Sequence, residues 1–230
     1  MKTIFAMFLY AAPMLAQTSA GSNVAPTPLR LAIAGDSTVA EYPATVPQRG
    51  WGQYIQDYFS GSVRVFNLAQ GGRSTKTFLH GGLWGKLLAL KPDIVLIQFG
   101  HNDSHDPKLP EATDAATDYS DYLRQFVDDV RGAGAIPILI TPVQRRTKVD
   151  TLLPYAAAMR KVAAEKQAAL IDLYVSSGKL YRDLGEAGAA ELAANSTDAT
   201  HFNEKGARAI AALVMKELLD LDPRLRNNLR

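Results

Sequence analysis

Apolar residues gather into five short runs, Leu29 to Ala34, Val63 to Leu68, Ile94 to Phe99, Ile136 to Ile140 and Ala169 to Leu173. Each is of strand length, and several are rich in Val and Ile. Between them the spacing turns helical over Trp51 to Phe59, Leu83 to Leu90, Ala115 to Arg131 and Tyr155 to Lys166, with a last helical segment from Asn203 to Leu219. Strands that alternate with helices and are apolar nearly throughout form a parallel sheet covered on both faces. The pattern therefore predicts one α/β domain over 29–230, a three-layer α/β/α sandwich around a five-stranded parallel sheet. In doubly wound sheets the loops leaving the carboxyl ends of the strands build the site, so the residues after each run are where chemistry is sought.

The first run ends in Gly35-Asp36-Ser37-Thr38, the second in Gln70-Gly71-Gly72-Arg73-Ser74 and the third in Gly100-His101-Asn102-Asp103. Ahead of the last helix stands Asp198-Ala199-Thr200-His201. An Asp and a His three apart on a short turn can point the same way, so the carboxylate can fix the imidazole of its neighbour. Acyl-transfer chemistry needs a nucleophilic hydroxyl, a base and an acid that orients the base. Ser37, His201 and Asp198 supply one each.

Ahead of the domain, Lys2, the apolar stretch Ile4 to Ala12, Pro13 and Thr18-Ser19-Ala20 have the layout of a secretory signal over 1–20, with a small, polar, proline-bearing tether over 21–28. The apolar stretch is too short for a bilayer core of about 30 Å, so no membrane association is expected after cleavage. Cysteine is absent from the sequence, which removes disulfides, thiol nucleophiles and thiolate metal sites. Export without cysteine fits a bacterial periplasm or exterior. A net charge of +2 is too balanced for a nucleic-acid coat. A length of 230 residues suits one domain, expected to act as a monomer.

The blocks Gly-Asp-Ser at 35–37, glycine in the second loop, Gly-His-Asn-Asp at 100–103 and Asp-Ala-Thr-His at 198–201 resemble the four sequence blocks of the SGNH (GDSL) hydrolases, in the same order. Gly50-Trp51-Gly52-Gln53, Gly71 to Ser74, Thr141 to Arg146 and Asp198 to Ala207 are similar, more narrowly, to the rhamnogalacturonan acetylesterases of carbohydrate esterase family twelve. The resemblance implies a flavodoxin-like SGNH fold and a cofactor-free serine esterase acting on acetylated plant cell-wall polysaccharide, with rhamnogalacturonan I of pectin as substrate; the alternatives left open are an esterase acting on acetylated xylan, another acetylated glycan or a short acyl ester, and a non-catalytic glycan-binding module. It implies Ser37 as nucleophile, His201 as base and Asp198 as its partner, and an oxyanion hole made by the backbone N–H groups of Ser37 and Gly72 and the side-chain amide of Asn102. Glycine at 72 would keep a side chain from crowding the acyl group. Thr38 stands where lipase-like members carry leucine, as in the acetylesterase branch, whereas the disulfides of fungal members have no counterpart here.

Arg73, Arg145 and Arg146 are either solvated or ion-paired charges, or contacts to galacturonate carboxylates, which guanidinium groups bind in a bidentate manner. Trp51 shares helical spacing with Tyr54, Ile55 and Tyr58, which suits a core position; its other open role is stacking on a sugar ring. The run His101 to Asp106 holds two His and two Asp but lacks the distant partners a metal site needs, so no metal is expected. Asp103 and His105 are read as bracing the loop that carries Asn102, or as lining the cleft. Neither a phosphate loop nor a Gly-x-Ser-x-Gly elbow is present, which excludes nucleotide sites of the Walker type and argues against the α/β-hydrolase fold.

Overall fold

The computed structural model describes residues 27–147 and 149–230. The secretory signal and most of the tether read from the sequence lie outside the described residues. Five parallel strands, β1 (Leu29–Gly35), β2 (Val63–Asn67), β3 (Ile94–Gln98), β4 (Ile136–Ile140) and β5 (Ala169–Ile171), form one sheet in the order β2-β1-β3-β4-β5. This is the doubly wound arrangement in which the chain leaves β1 for one edge, then crosses to the other side at β3.

Because successive side chains in a strand face opposite ways, each strand feeds both layers. Leu31, Ile33, Ile94, Leu96, Ile138 and Ile140 pack against Trp51, Ile55 and the inner face of α6 (Glu204–Leu221), where Ile210, Val214 and Leu218 are buried. On the opposite face, Ala32, Ala34, Val95, Ile97 and Leu139 pack under α2 (Leu83–Ala89), α3 (Asp118–Gly132) and α4 (Leu153–Lys166), through Leu87, Phe126, Val130 and Met159. Two apolar layers on one sheet give the sandwich that the runs of Val and Ile predict.

Three helices lack a counterpart in the sequence reading: α1 (Thr75–His80), α5 (Leu173–Ala190) and α7 (Pro223–Arg226). The first is six residues, too short to show a period, and is set by a capping box between Ser74 and Thr77. In α5 the apolar pattern is interrupted by Gly178, Gly185 and Gly188, and the helix kinks at Gly185, whose φ is 68°. Asp172 caps α5 and so ends β5 two residues before Leu173, where the apolar run continues. The segment after Gly50 is a 3₁₀ helix (Trp51–Tyr58) rather than an α-helix.

Candidate active site

The strand order reverses between β1 and β3, which opens a crevice above their carboxyl ends. Ser37 sits two residues past β1 and Asn102 four past β3, so the two loops face each other across it. The fourth block reaches the same place from the loop ahead of α6. Ser37 Oγ lies 2.9 Å from His201 Nε2, and His201 Nδ1 lies 2.9 Å from Asp198 Oδ2. The other Asp198 oxygen accepts from the backbone N–H of Thr200 and of His201, each at 2.8 Å. A carboxylate only accepts, so Nδ1 carries the ring hydrogen and Nε2 presents its lone pair to the Ser37 hydroxyl. Burial alone would raise the Asp198 carboxyl; the N–H groups of His201 and Thr200 and the imidazole outweigh it and hold that carboxyl below its ordinary value.

Among the described residues no protein acceptor takes the backbone N–H of Ser37, Gly71 or Gly72. Asn102 Nδ2 donates to the carbonyl of Arg73 at 2.9 Å, which leaves its second amide hydrogen for another acceptor. Gly72 has φ +76°, and a Cβ built there meets nothing within 4 Å. Left-handed backbone is thus one requirement that glycine at 72 meets in this structure. At Gly71 a Cβ would stand 3.8 Å from that of Ser37. The Ser37 peptide is fixed from behind, where Tyr42 Oη donates to its carbonyl at 2.9 Å. Burial, with the charge of Asp36, pushes the Tyr42 hydroxyl up to about 12, so it stays a donor.

Beneath the nucleophile runs a buried polar chain. Trp51 Nε1 donates to Gln98 Oε1 and Gln98 Nε2 to Thr38 Oγ1, both at 2.8 Å, and Thr38 donates through its hydroxyl (2.7 Å) and its N–H (2.8 Å) to Asp36 Oδ1. Trp51 is fully buried, which corrects its candidacy as a sugar platform: it is a core residue that anchors this chain. Asp36 Oδ2 meets His101 Nδ1 at 3.3 Å. Burial would raise the Asp36 carboxyl, but His101 and the two Thr38 donors hold it below its ordinary value.

The acids and histidines of 101–106 do not converge on one point. Asp103 accepts from Thr75 Oγ1 at 2.5 Å, from the Thr75 N–H at 3.1 Å and from Thr113 Oγ1 at 3.0 Å, while His105 pairs with Glu111 at 2.8 Å. Asp103 thus ties the Asn102 loop to α1 and to the loop before α3, as read from the sequence. Burial outweighs those donated bonds and raises the Asp103 carboxyl to about 7.

The arginines divide. Arg73 reaches Gln70 Oε1 at 3.2 Å at the mouth of the crevice. Arg145 donates to the carbonyl of His101 at 3.1 Å. Arg146 donates through Nη2 to the carbonyls of Asp198 (3.1 Å) and His201 (2.6 Å), with its guanidinium 4.7 Å from the Phe202 ring centre. Its Nη2 holds the loop of the base instead of facing a sugar carboxylate. Next to Asp198 a cavity of about 610 Å³ is lined by Arg145, Arg146, Arg182, Gln144 and Glu186.

The GDSL-like lipase/acylhydrolase family model matches residues 33–209, which include every site residue just described. The chain belongs to this family. Two curated relatives come from Bacillus subtilis (strain 168). A probable rhamnogalacturonan acetylesterase, YesY, is 37% identical over 82% of this chain and 92% of its own length. The rhamnogalacturonan acetylesterase RhgT is 34% identical over 88% and 94%. Among solved structures, protein YxiM of Bacillus subtilis superposes with a TM-score of 0.76 at 29% identity, covering 85% of this chain but 57% of that longer one. An acetylxylan esterase from Geobacillus stearothermophilus shares the fold, with a TM-score of 0.67 at 21% identity, over 84% of this chain and 94% of its own.

Within this GDSL-like chain, sequence reasoning passed over Tyr42, Gln98 and the side chain of Asp36, and weighed His101 only as a metal ligand, not as a partner of Asp36. Asp36 and His101 each directly precede a candidate residue, and that adjacency is the one signal available. Tyr42 and Gln98 carry no spacing that distinguishes them from other loop and strand residues.

Proposed function

We propose that the chain is an exported serine esterase that removes O-acetyl groups from acetylated plant cell-wall polysaccharide, with rhamnogalacturonan I as substrate. The observation that carries this reading is the unbroken line from Ser37 Oγ through His201 to Asp198, with both bonds at 2.9 Å, at the mouth of the crevice. In it His201 Nε2 takes the Ser37 proton while Oγ bonds to the acetyl carbonyl carbon. The carbonyl oxygen becomes an oxyanion, received by the free N–H groups of Ser37 and of Gly71 or Gly72 and by the second amide hydrogen of Asn102. Collapse breaks the bond to the sugar oxygen, which leaves with the proton from His201. Water then attacks the acetyl-enzyme by the same route and releases acetate, and Ser37 regains its proton. The steps need no cofactor or metal.

Two observations support the pectic substrate. The relatives that align over most of this chain bear the rhamnogalacturonan name. The cavity beside Asp198 also offers the guanidinium of Arg182, which makes no ion pair among the described residues. The test is acetate release from acetylated rhamnogalacturonan, acetylated xylan and a chromogenic acetate, comparing wild type with Ser37→Ala. Release from the pectic substrate that drops by on the order of 10⁶ in the variant is the expected result. Release from xylan alone would replace the substrate, and activity that survives Ser37→Ala would remove the serine mechanism.

A further inference from the structure

Asp36 and His101 form a buried contact that the acyl-transfer scheme does not use. Asp36 is fully buried and His101 is 2% exposed, with Asp36 Oδ2 and His101 Nδ1 3.3 Å apart. The two atoms meet as an ion-type contact rather than an aligned hydrogen bond, and neither they nor His101 Nε2 has a hydrogen-bond partner among the described residues. Each residue is covalently next to a group the reaction needs: Asp36 precedes Ser37, and His101 precedes Asn102. The contact joins the loop after β1 to the loop after β3, across the point where the strand order reverses.

We infer that the Asp36–His101 pair is a positioning device that sets the distance and register between the Ser37 loop and the Asn102 amide. The inference rests on the serine-esterase reading above. Three observations carry it. Asp36 is held rigidly on its other oxygen by both donors of Thr38, so a pull on its carboxylate moves the peptide of Ser37 rather than a free side chain. His101 is held at its carbonyl by Arg145 Nη2 at 3.1 Å, and the next residue, Asn102, at its amide by the Arg73 carbonyl at 2.9 Å. Gly100, just before, has φ +142°, and a Cβ there would come within 2.9 Å of the Pro142 ring, so the loop is seated tightly against the loop after β4.

Electrostatics gives the pair a second reason to exist. A bare carboxylate buried one residue from the oxyanion hole would oppose the charge that develops there, because low local dielectric strengthens repulsion. His101 at 3.3 Å and the guanidinium of Arg145 both face Asp36 and offset its charge. The titratable groups around the pair are Arg145 from the loop after β4, Asp103 next to Asn102, Tyr42 behind Ser37 and Tyr119 from α3. Two elements that a hydrolase must align to a fraction of an ångström are thus cross-linked by a contact shielded from solvent.

The test is a double-mutant cycle on the full chain with Asp36→Asn, His101→Gln and the double variant, using a chromogenic acetate. Active sites are counted by stoichiometric labelling with a fluorophosphonate, so that misfolded protein drops out of the rate. The expected result is that each single variant lowers kcat per labelled site by about 10- to 100-fold with KM near the wild-type value, since small misplacements of reacting groups cost this much. The double variant is expected to be no slower than the worse single one, because the contact can be broken once. Unchanged kcat per labelled site, or single effects that multiply, would overturn the positioning role. Wild-type protein that neither labels nor hydrolyses the acetate would overturn the esterase reading itself, which is a different outcome.

Discussion

Arg146 donates to the carbonyl oxygen of His201 at 2.6 Å, so the imidazole that faces Ser37 hangs from a guanidinium rooted in the loop after β4. The same Nη2 also holds the carbonyl of Asp198 at 3.1 Å, and the backbone N–H of Arg146 donates to Ala199 at 2.8 Å. Charge-assisted hydrogen bonds of this kind contribute about 1.5–3 kcal/mol. Arg146→Ala is expected to lower stability by about 2–4 kcal/mol in urea unfolding and to reduce kcat more than KM. Arg146→Lys keeps the charge but not the planar fork, and is expected to fall between. An alanine variant with wild-type kcat and stability would remove Arg146 from the support of the loop.

Asn102 and Gly72 separate the oxyanion hole from the backbone that carries it. Asn102→Ala removes one donor and is expected to lower kcat by about 10²–10³. Gly72→Ala meets no steric obstacle but must hold φ +76°. It is expected to cost about 1–2 kcal/mol of stability, read from the urea midpoint. Equal rates for wild type and Asn102→Ala would exclude that amide from the hole.

Asp103 sets a pH dependence of stability with an unusual sign. Its carboxyl lies near 7 in the fold against 3.8 as a free group, so the folded protein holds this proton more tightly than the unfolded chain. Its stabilising contribution is full below pH 3.8 and is lost as the pH rises toward 7, by at most on the order of 4 kcal/mol. Asp36 and Asp198, both held below 3.8, act only under that window. Unfolding midpoints between pH 4.5 and 7.5 are expected to favour Asp103→Asn progressively over wild type as the pH rises. Parallel curves would show that Asp103 is ionised throughout.

Arg182 is the guanidinium by which substrate charge can be tested. It lines the cavity beside Asp198, and its Nη1 lies 3.3 Å from the position a Cβ would take on Gly178. Arg182→Gln is expected to raise KM about tenfold on acetylated rhamnogalacturonan and to leave acetylated xylan and the chromogenic acetate unchanged. A uniform effect on all three substrates would assign Arg182 to structure.

The sheet and its five strands were legible because apolar runs are a short-range pattern, and so was the placement of Ser37 after β1 and of Asp198 and His201 three apart on one turn; the part given to Asn102 came from the family resemblance alone. Trp51 was ambiguous because helical spacing says which face a residue shares and nothing of what covers it; burial and the bond to Gln98 Oε1 decide. Helix α5 escaped because three glycines interrupt its apolar pattern, and one of them, Gly178, leaves room for the Gln144 side chain. The hold of Arg146 on the His201 loop and the Asp36–His101 contact escaped for a different reason. Their partners lie 55 and 65 positions away in the sequence, and a single sequence carries no sign of who meets whom.

Asp198 and His201 share one four-residue turn, and its two N–H bonds to Asp198 bind them into a unit that moves together. Loosening the segment ahead of α6 therefore leaves the carboxylate–imidazole bond intact and severs the 2.9 Å link to Ser37 first. The nucleophile belongs to the sheet, and the base to a separate turn fastened by Arg146 and by the bond from the Arg49 N–H to the carbonyl of Phe202 at 2.7 Å. Heat or denaturant should silence the molecule before it melts, and on return to mild conditions the base would come back already aimed.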